Sequence, residues 1–474
     1  MTDRTDQYQS PLSGRYAGEE MRRLFSADRR YQTWRRLWVS LAKAERRLGL
    51  PITEAQVNAL EAHVADIDYT VVASREKEVR HDVMAHLYAY GQVAPEAAGI
   101  IHLGATSCYV TDNTDLILYR EGLGLVRQGL VEVLALLADF ADRYKATPTL
   151  GYTHYQPAQL TTVGKRATLW MQDFASDVDE IDFVLANLRF LGCRGTTGTE
   201  ASFLDLFDGD STKIDEMNRL IAADFGFAQT YDVCGQTYPR KADSRVLNAL
   251  SAVAQSAYRM ANDIRLLQHD RQVEEPFETH QIGSSAMAYK RNPMRCERIC
   301  SLSRYVMTDA LNAPLTASVQ WMERTLDDSA NRRISLPEGF LAVDAVLRLV
   351  QNVVDGLVVN EAVVARAVAD YLPFIATENL MMEAVKKGGD RQRIHEVIRV
   401  ASMQATKLVK EGSPCDLVER LAACADFGMT AAEIEALLAP SLYIGRCPQQ
   451  VEAYLAVVAP LVAQAKRRKV NIEV

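Results

Sequence analysis

The stretch VLNALSAVAQSAYRMANDIRLL, residues 246–267, decides the fold. Its apolar residues Val246, Leu250, Val253, Ala257, Met260, Ile264 and Leu267 are spaced alternately four and three apart across three heptads. A repeat of that period keeps one seam on one face of a gently supercoiled helix, the geometry of long helices in a bundle. Working outward, Val126, Leu130, Val133, Leu137 and Phe140 keep the alternation, as do Met171, Phe174, Val178, Ile181, Leu185 and Leu188. Val343, Leu347, Val350, Val354 and Leu357 keep it again. Strands alternate every two residues, and few segments here do. An all-α fold is expected, with a central bundle of long helices.

On either side the helices shorten. Residues 31–48 read as one helix, and Thr53 with Gln56 forms a capping-box pattern opening another. Toward the C-terminus Leu372-Pro373 is expected to break the pattern. A later helix should end at Lys386, Lys387, Gly388, Gly389, with cations in its last turn and a C-cap glycine. Three helical domains are expected: 1–107, the long-helix bundle over 108–359, and 360–474.

Composition narrows the function. With 474 residues, 48% hydrophobic, 24% charged and a net charge of -8, the chain is neither collagen-like, low-complexity nor largely disordered. The acidic total, with no basic tract longer than AKRRK, argues against nucleic acid as partner. Eight cysteines lie scattered without a CxxC pair, which argues for reduced thiols and against a metal cluster. The N-terminal residues MTDRTDQYQSPLSGRY lack the apolar core of a signal peptide, and no apolar run reaches the roughly 18 residues of a membrane span. A cytoplasmic protein with no membrane partner is expected. No GxGxxG, P-loop or GxSxG supports a dinucleotide, ATP or serine-hydrolase reading.

Four segments dense in Thr, Ser, Gly, His and Gln interrupt the helices: GATSCYVTDN (104–113), GYTHYQPAQ (151–159), RGTTGTEAS (194–202) and IGSSAMAYKRNP (282–293). The first, second and fourth lead into expected helices, where free N–H groups and the helix dipole favour a bound anion. Each alone also reads as caps and turns; four together point to a site. Ser284 lies six residues before Lys290, and a serine becomes a base only if an ammonium and nearby N–H groups stabilise its alkoxide. The same loop also reads as a surface turn. His154 reads either as an acid–base group or as a hydrogen-bonded structural residue. His81 and His86, five apart around Asp82, would face different sides of a helix, so a metal is not expected. Arg15, Arg80, Arg298, Arg324 and Arg333 fall in polar segments, and a guanidinium fork suits carboxylates and phosphates. A helix over about 112–145 would run some 50 Å, putting Ser107 and His154 at opposite ends of one subunit. Either the loops serve separate purposes or neighbouring subunits of a homo-oligomer build one site.

The segment GSSAMAYKRNPMRCER (283–298) resembles the signature loop GSSxMPxKxN of the fumarase/aspartase superfamily. SPLSGRY (10–16), RHDVMAH (80–86), GATSCYVTDN, THYQPAQLTTVGKR (153–166), CGQTYPRK (234–241) and ERTLDDSANRR (323–333) resemble, in order, its purine-nucleotide branch, particularly the animal-type members. The resemblance implies elimination of fumarate from adenylosuccinate, giving AMP, and from the succinylated aminoimidazole carboxamide ribotide of purine synthesis. It makes Ser284 the general base and His154 the general acid. Lys290 would stabilise the charge that develops on the carboxylate, and Glu297 would orient His154. Thr106, Ser107, Thr153, Gln236 and Asn292 would hold the succinyl and base portions. Arg15, Tyr16, Arg298, Arg324, Ser329 and Arg333 would hold the nucleotide and its phosphate, with Arg80, His81 and Asp82 lining the site. The resemblance also implies a homotetramer whose sites each draw on three subunits, with no metal or organic cofactor. One departure is Ala288 where the family usually has proline, a change that widens the open-loop ensemble by up to about 1 kcal/mol. The alternatives are another fumarate-releasing lyase, such as argininosuccinate lyase, or a structural relative without activity. RHD and SANRR favour a purine substrate, and retention of Ser284, Lys290, His154 and Glu297 argues against lost activity.

Overall fold

A computed structural model describes residues 6–468 together with 470 and 472. The helices that position the site are α1 (Ala27–Arg47), α2 (Asp82–Val93), α3 (Ser107–Arg143), α4 (Val163–Asn187), α5 (Lys241–His269), α6 (Met294–Asp309), α7 (Asp327–Asp355) and α8 (Cys447–Val462). The bundle consists of α3 to α7. The seam of residues 246–267 is buried along its whole length, Leu267 being the most exposed at 5%. Each such Val, Leu or Ile side chain contributes about 1.5–3 kcal/mol of burial. Helices pack closely where glycine allows it: a Cβ at Gly122 of α3 would stand 2.8 Å from the Phe340 ring of α7.

Ion pairs across the bundle set the helix directions. Arg127 of α3 pairs with Asp182 near the end of α4 at 2.5 Å, and the Gly164 N–H at the start of α4 donates to the Tyr144 carbonyl just past the end of α3, so these two helices run antiparallel. Arg240, just before α5, pairs with Asp112 in the second turn of α3 and Asp328 at the start of α7. The N-termini of α3, α5 and α7 therefore converge at one end. The N-terminal helices share the bundle's apolar core, which extends from Leu12 and Trp34 to Val458 on α8. A separate core gathers Ala376, Leu380, Ile394, Leu417, Phe427 and Ile434.

Two local expectations change. Residues 151–159 do not lead straight into a helix; they lie within an antiparallel hairpin, β1 (Pro148–Thr153) and β2 (Gln156–Thr162). Leu150 and Leu160 bury one face against Val368 and Leu372, and His154 and Tyr155 take φ of 52° and 57°. Two consecutive left-handed residues are what a tight two-residue hairpin turn requires. Pro373 does not end its helix, which spans Glu361–Ile375. A proline removes one helical hydrogen bond, but buried Val364, Val368 and Leu372 hold the last turn in place. The capping box at Thr53 and Gln56 is present, and the helix Thr377–Lys386 ends before Gly388 at φ 97°. Among the described residues no helix is long and apolar enough to cross a membrane.

Candidate active site

A cleft of about 760 Å³ opens where α3, α5 and α7 begin. It collects Arg80, His81, Asp82, Ser107, Gln236, Arg324, Ser329 and Arg333. Three helix N-termini meet there, and their unbonded N–H groups and positive dipole ends favour an anion. Thr106 precedes α3 without capping it through its side chain. His81 is the N-cap of α2, where its Nδ1 accepts from the Met84 N–H at 3.4 Å. Its Nε2 lies 3.4 Å from Ser107 Oγ. The Arg333 guanidinium donates to Asp82 at 2.8 Å, tying α7 to α2 across the cleft. His86 turns into the core instead, stacked 3.9 Å from Tyr31, and burial pushes it down to about 4.

The floor of this cleft is a buried charge network. Arg240 donates to Asp328 at 2.6 Å and to Asp112 at 2.8 and 3.2 Å. Arg332 donates to Asp243 at 2.7 Å and Asp115 at 2.9 Å, and Arg30 reaches Asp115 at 2.9 Å. Tyr238 Oη donates to Asp243 at 2.6 Å, and Arg324 pairs with Asp328 at 2.8 Å. Burial alone would raise Asp115 and Asp328. Arg30 and Arg332 beside the first, and Arg240 and Arg324 beside the second, hold both below the usual carboxylate range. Four arginines thus neutralise four aspartates. Besides Arg324, whose side chain stays 23% exposed, the charges that remain to attract a ligand sit at the rim. Sequence reading passed over Asp112, Asp115, Arg240, Asp243, Asp328 and Arg332. Their signal was present in charged residues such as TDNTD (111–115) that interrupt an apolar helical repeat.

The other expected residues lie elsewhere in the chain. Arg298 on α6 and Arg15 in the turn Leu12–Tyr16 flank the Tyr16 ring at 5.7 and 6.0 Å. These three line a second cavity of about 560 Å³ with Arg22, Arg348 and Arg468. Ser284, Lys290 and Asn292 belong to the segment leading into α6. Ser284 Oγ accepts from the Ala286 and Met287 N–H groups at 3.3 and 3.1 Å, donors of the kind that stabilise a negative oxygen. Asn292 Nδ2 donates to the Gly283 carbonyl at 2.7 Å and closes the loop at its base. A Cβ at Gly283 would lie 2.0 Å from the Lys290 carbonyl oxygen, so only glycine fits there. Glu297 is exposed near the start of α6. Thr153 and His154 are exposed at the hairpin tip. That tip lies beyond the far end of the 37-residue α3, a helix of about 55 Å. One chain therefore holds the cleft group at one end of the bundle and the hairpin at the other, where Gln268 of α5 also donates to the Arg291 carbonyl of the signature loop.

Known proteins share this sequence and this fold. The chain matches the lyase family over residues 14–308 and the adenylosuccinate lyase C-terminus over 373–454. It is 50% identical over 476 residues to the adenylosuccinate lyase of Schizosaccharomyces pombe, covering 98% of this chain and 99% of that one. It is also 50% identical over 454 residues to that of Saccharomyces cerevisiae, covering 95% and 94%. Among solved structures, 3-carboxy-cis,cis-muconate lactonizing enzyme from Pseudomonas putida has the same fold, with a TM-score of 0.82 at 22% identity over 95% of this chain and 99% of that one. Fumarate lyase from Mesorhizobium sp. BNC1 has it with a TM-score of 0.79, also at 22% identity over 95% and 99%. Bundle, signature loop and helix-end cleft together define a lyase of the fumarase/aspartase class. Within that class, the chain belongs to the adenylosuccinate lyase family.

Proposed function

We propose that this lyase eliminates fumarate from adenylosuccinate, leaving AMP, and from the succinylated aminoimidazole carboxamide ribotide, leaving the free carboxamide. Ser284 removes the proton from the succinyl carbon next to a carboxylate. Lys290 and the Ala286 and Met287 N–H groups favour the alkoxide form of Ser284 and the charge that develops on the carboxylate. The carbon–nitrogen bond breaks as His154 protonates the departing nitrogen, with Glu297 orienting the imidazole. Thr106, Ser107, Thr153, Gln236 and Asn292 hold the succinyl and base portions. Arg15, Tyr16, Arg298, Arg324, Ser329 and Arg333 hold the nucleotide and its phosphate, beside Arg80, His81 and Asp82. The step needs a base, an acid and anion stabilisation, and no cofactor takes part.

The observation that carries this reading is the separation of the cleft from the hairpin and the signature loop along the helix bundle. A homotetramer that brings the cleft of one subunit against the hairpin and signature loop of two others would complete each site. We assign residues 1–107, 108–359 and 360–474 to an N-terminal, a bundle and a C-terminal domain. The separate core from Ala376 to Ile434 supports the last of these. A cytoplasmic location suits eight free cysteines. The test is purified protein mixed with adenylosuccinate, followed by absorbance at 280 nm with fumarate and AMP identified separately. Equal amounts of both are expected. No turnover by a folded tetramer, tested also with argininosuccinate, would refute the assignment.

A further inference from the structure

RGTTGTEAS (194–202) has so far been given no task, and neither has Cys108, one residue after Ser107. Both converge on Gln236. Gly198, at φ 83°, lies so close to residues 234–235 that a Cβ would meet the Cys234 carbonyl oxygen at 2.0 Å. This contact lays the 194–202 segment directly on the chain carrying Gln236. The Thr196 carbonyl then accepts from Gln236 Nε2 at 3.0 Å. On the other side of the carboxamide, Cys108 Sγ donates to Gln236 Oε1 at 3.2 Å. The Gln236 backbone N–H is tied in turn to the Glu323 carbonyl at 3.0 Å, beside Arg324.

A carboxamide can turn over and exchange its oxygen and nitrogen at little cost unless its partners distinguish the two. Here they do. A carbonyl oxygen such as that of Thr196 can only accept, and so demands the nitrogen. The thiol adds its own hydrogen bond to the carboxamide oxygen only while it keeps its proton. Burial, with Asp112 nearby, pushes Cys108 up to about 12, so it remains a donor throughout the neutral range. Gln236 Nε2 has a second N–H, and among the described residues no acceptor meets it. Cys108 and Gln236 both line the cleft.

We propose that Cys108 is a positioning residue: together with the Thr196 carbonyl it locks the Gln236 carboxamide in the orientation that presents an N–H to the substrate's carboxylate or to an acceptor nitrogen of its base. This rests on the reading of the cleft as the substrate site. Turned over, the carboxamide would offer its oxygen to an anion, which repels it.

The test is a double-mutant cycle of Cys108→Ala and Gln236→Ala, with Cys108→Ser as the rescue, all checked by thermal unfolding. Cys108→Ala should lower kcat/KM about 3- to 10-fold, the range of one hydrogen bond, mainly through KM. Cys108→Ser should return to within about 2-fold of wild type, because its hydroxyl also donates. In the Gln236→Ala background, Cys108→Ala should change nothing further. An equal loss in both backgrounds, or no loss in either, would overturn the proposal. If Cys108→Ala does not fold, Cys108→Val takes its place in the cycle, as a side chain of similar bulk without a donor. Calorimetric titration of the same proteins with adenylosuccinate separates this proposal from the functional reading. A wild type that binds without turnover would sink the reading, and the cycle would still be decided by affinity.

Discussion

Glu45 on α1 is fully buried, and neither carboxylate oxygen has a hydrogen-bond partner. It lies close enough to Tyr109 and Cys193 to act on both electrostatically, beneath the first turn of α3 that carries Ser107 into the cleft. Burial raises its carboxyl from 4.5 to about 9, so at neutral pH the folded protein holds a proton there that the unfolded chain has released. The sign follows from linkage: the native state binds more protons than the unfolded state between these two values. Stability therefore falls as pH rises through that window, by about 1.4 kcal/mol per pH unit. From pH 6 to pH 8 the loss is about 2.7 kcal/mol. At about 2.1 cal/mol/K per residue, a chain of 474 residues converts this into about 3 °C of Tm. Glu45→Gln removes the titration while keeping the shape. Asp177 and Asp309, both raised to about 7 by burial, also titrate in this range but are common to both proteins and cancel in the difference. The assay is thermal unfolding of wild type and Glu45→Gln at pH 6 and pH 8. Glu45→Gln should gain about 3 °C on wild type across that interval. A Tm difference that is the same at both pH values would refute the reasoning and mean that Glu45 is ionised in the fold.

Ser284→Ala should lower kcat about 10²- to 10⁴-fold, with KM within about threefold, measured as fumarate absorbance at 240 nm; a near-normal kcat would remove Ser284 from the base role. Mixing inactive Ser284→Ala with inactive His154→Gln, then dissociating and reassociating the subunits, should restore activity, because some mixed sites draw an intact loop and an intact hairpin from different chains. Complete failure of that complementation, with reassociation shown by sedimentation, would argue that each chain builds its own site. Arg333→Met should raise KM for the nucleotide about 10- to 100-fold, the range of a charge-assisted hydrogen bond, and leave kcat nearly unchanged. A loss confined to kcat would move Arg333 from phosphate binding to the chemical step.

The bundle was legible because a 3.5-residue apolar repeat survives in linear sequence, and residues 246–267 are buried as that repeat requires. The loops were legible as interruptions of it. The hairpin around His154 was not, because its register depends on Leu150 and Leu160 meeting Val368 and Leu372, which are over 200 residues away in the chain. Pro373 misled for a related reason: local propensity gave way to burial of the helix's apolar face. The arginine–aspartate floor of the cleft was hidden because each charge, taken singly, reads as a solvated surface residue.

The helix periods, the capping box at Thr53 and the chemical inventory of serine, histidine, lysine and arginines can be read along the chain, since each depends on residues a few positions apart. Which of these groups meet follows from how the helices pack. Ser107, Gln236 and Arg333 share one cleft because three helices start at the same end, while His154 lies about 55 Å of helix away. Distance between groups far apart in the chain is set by packing, and no local pattern encodes it.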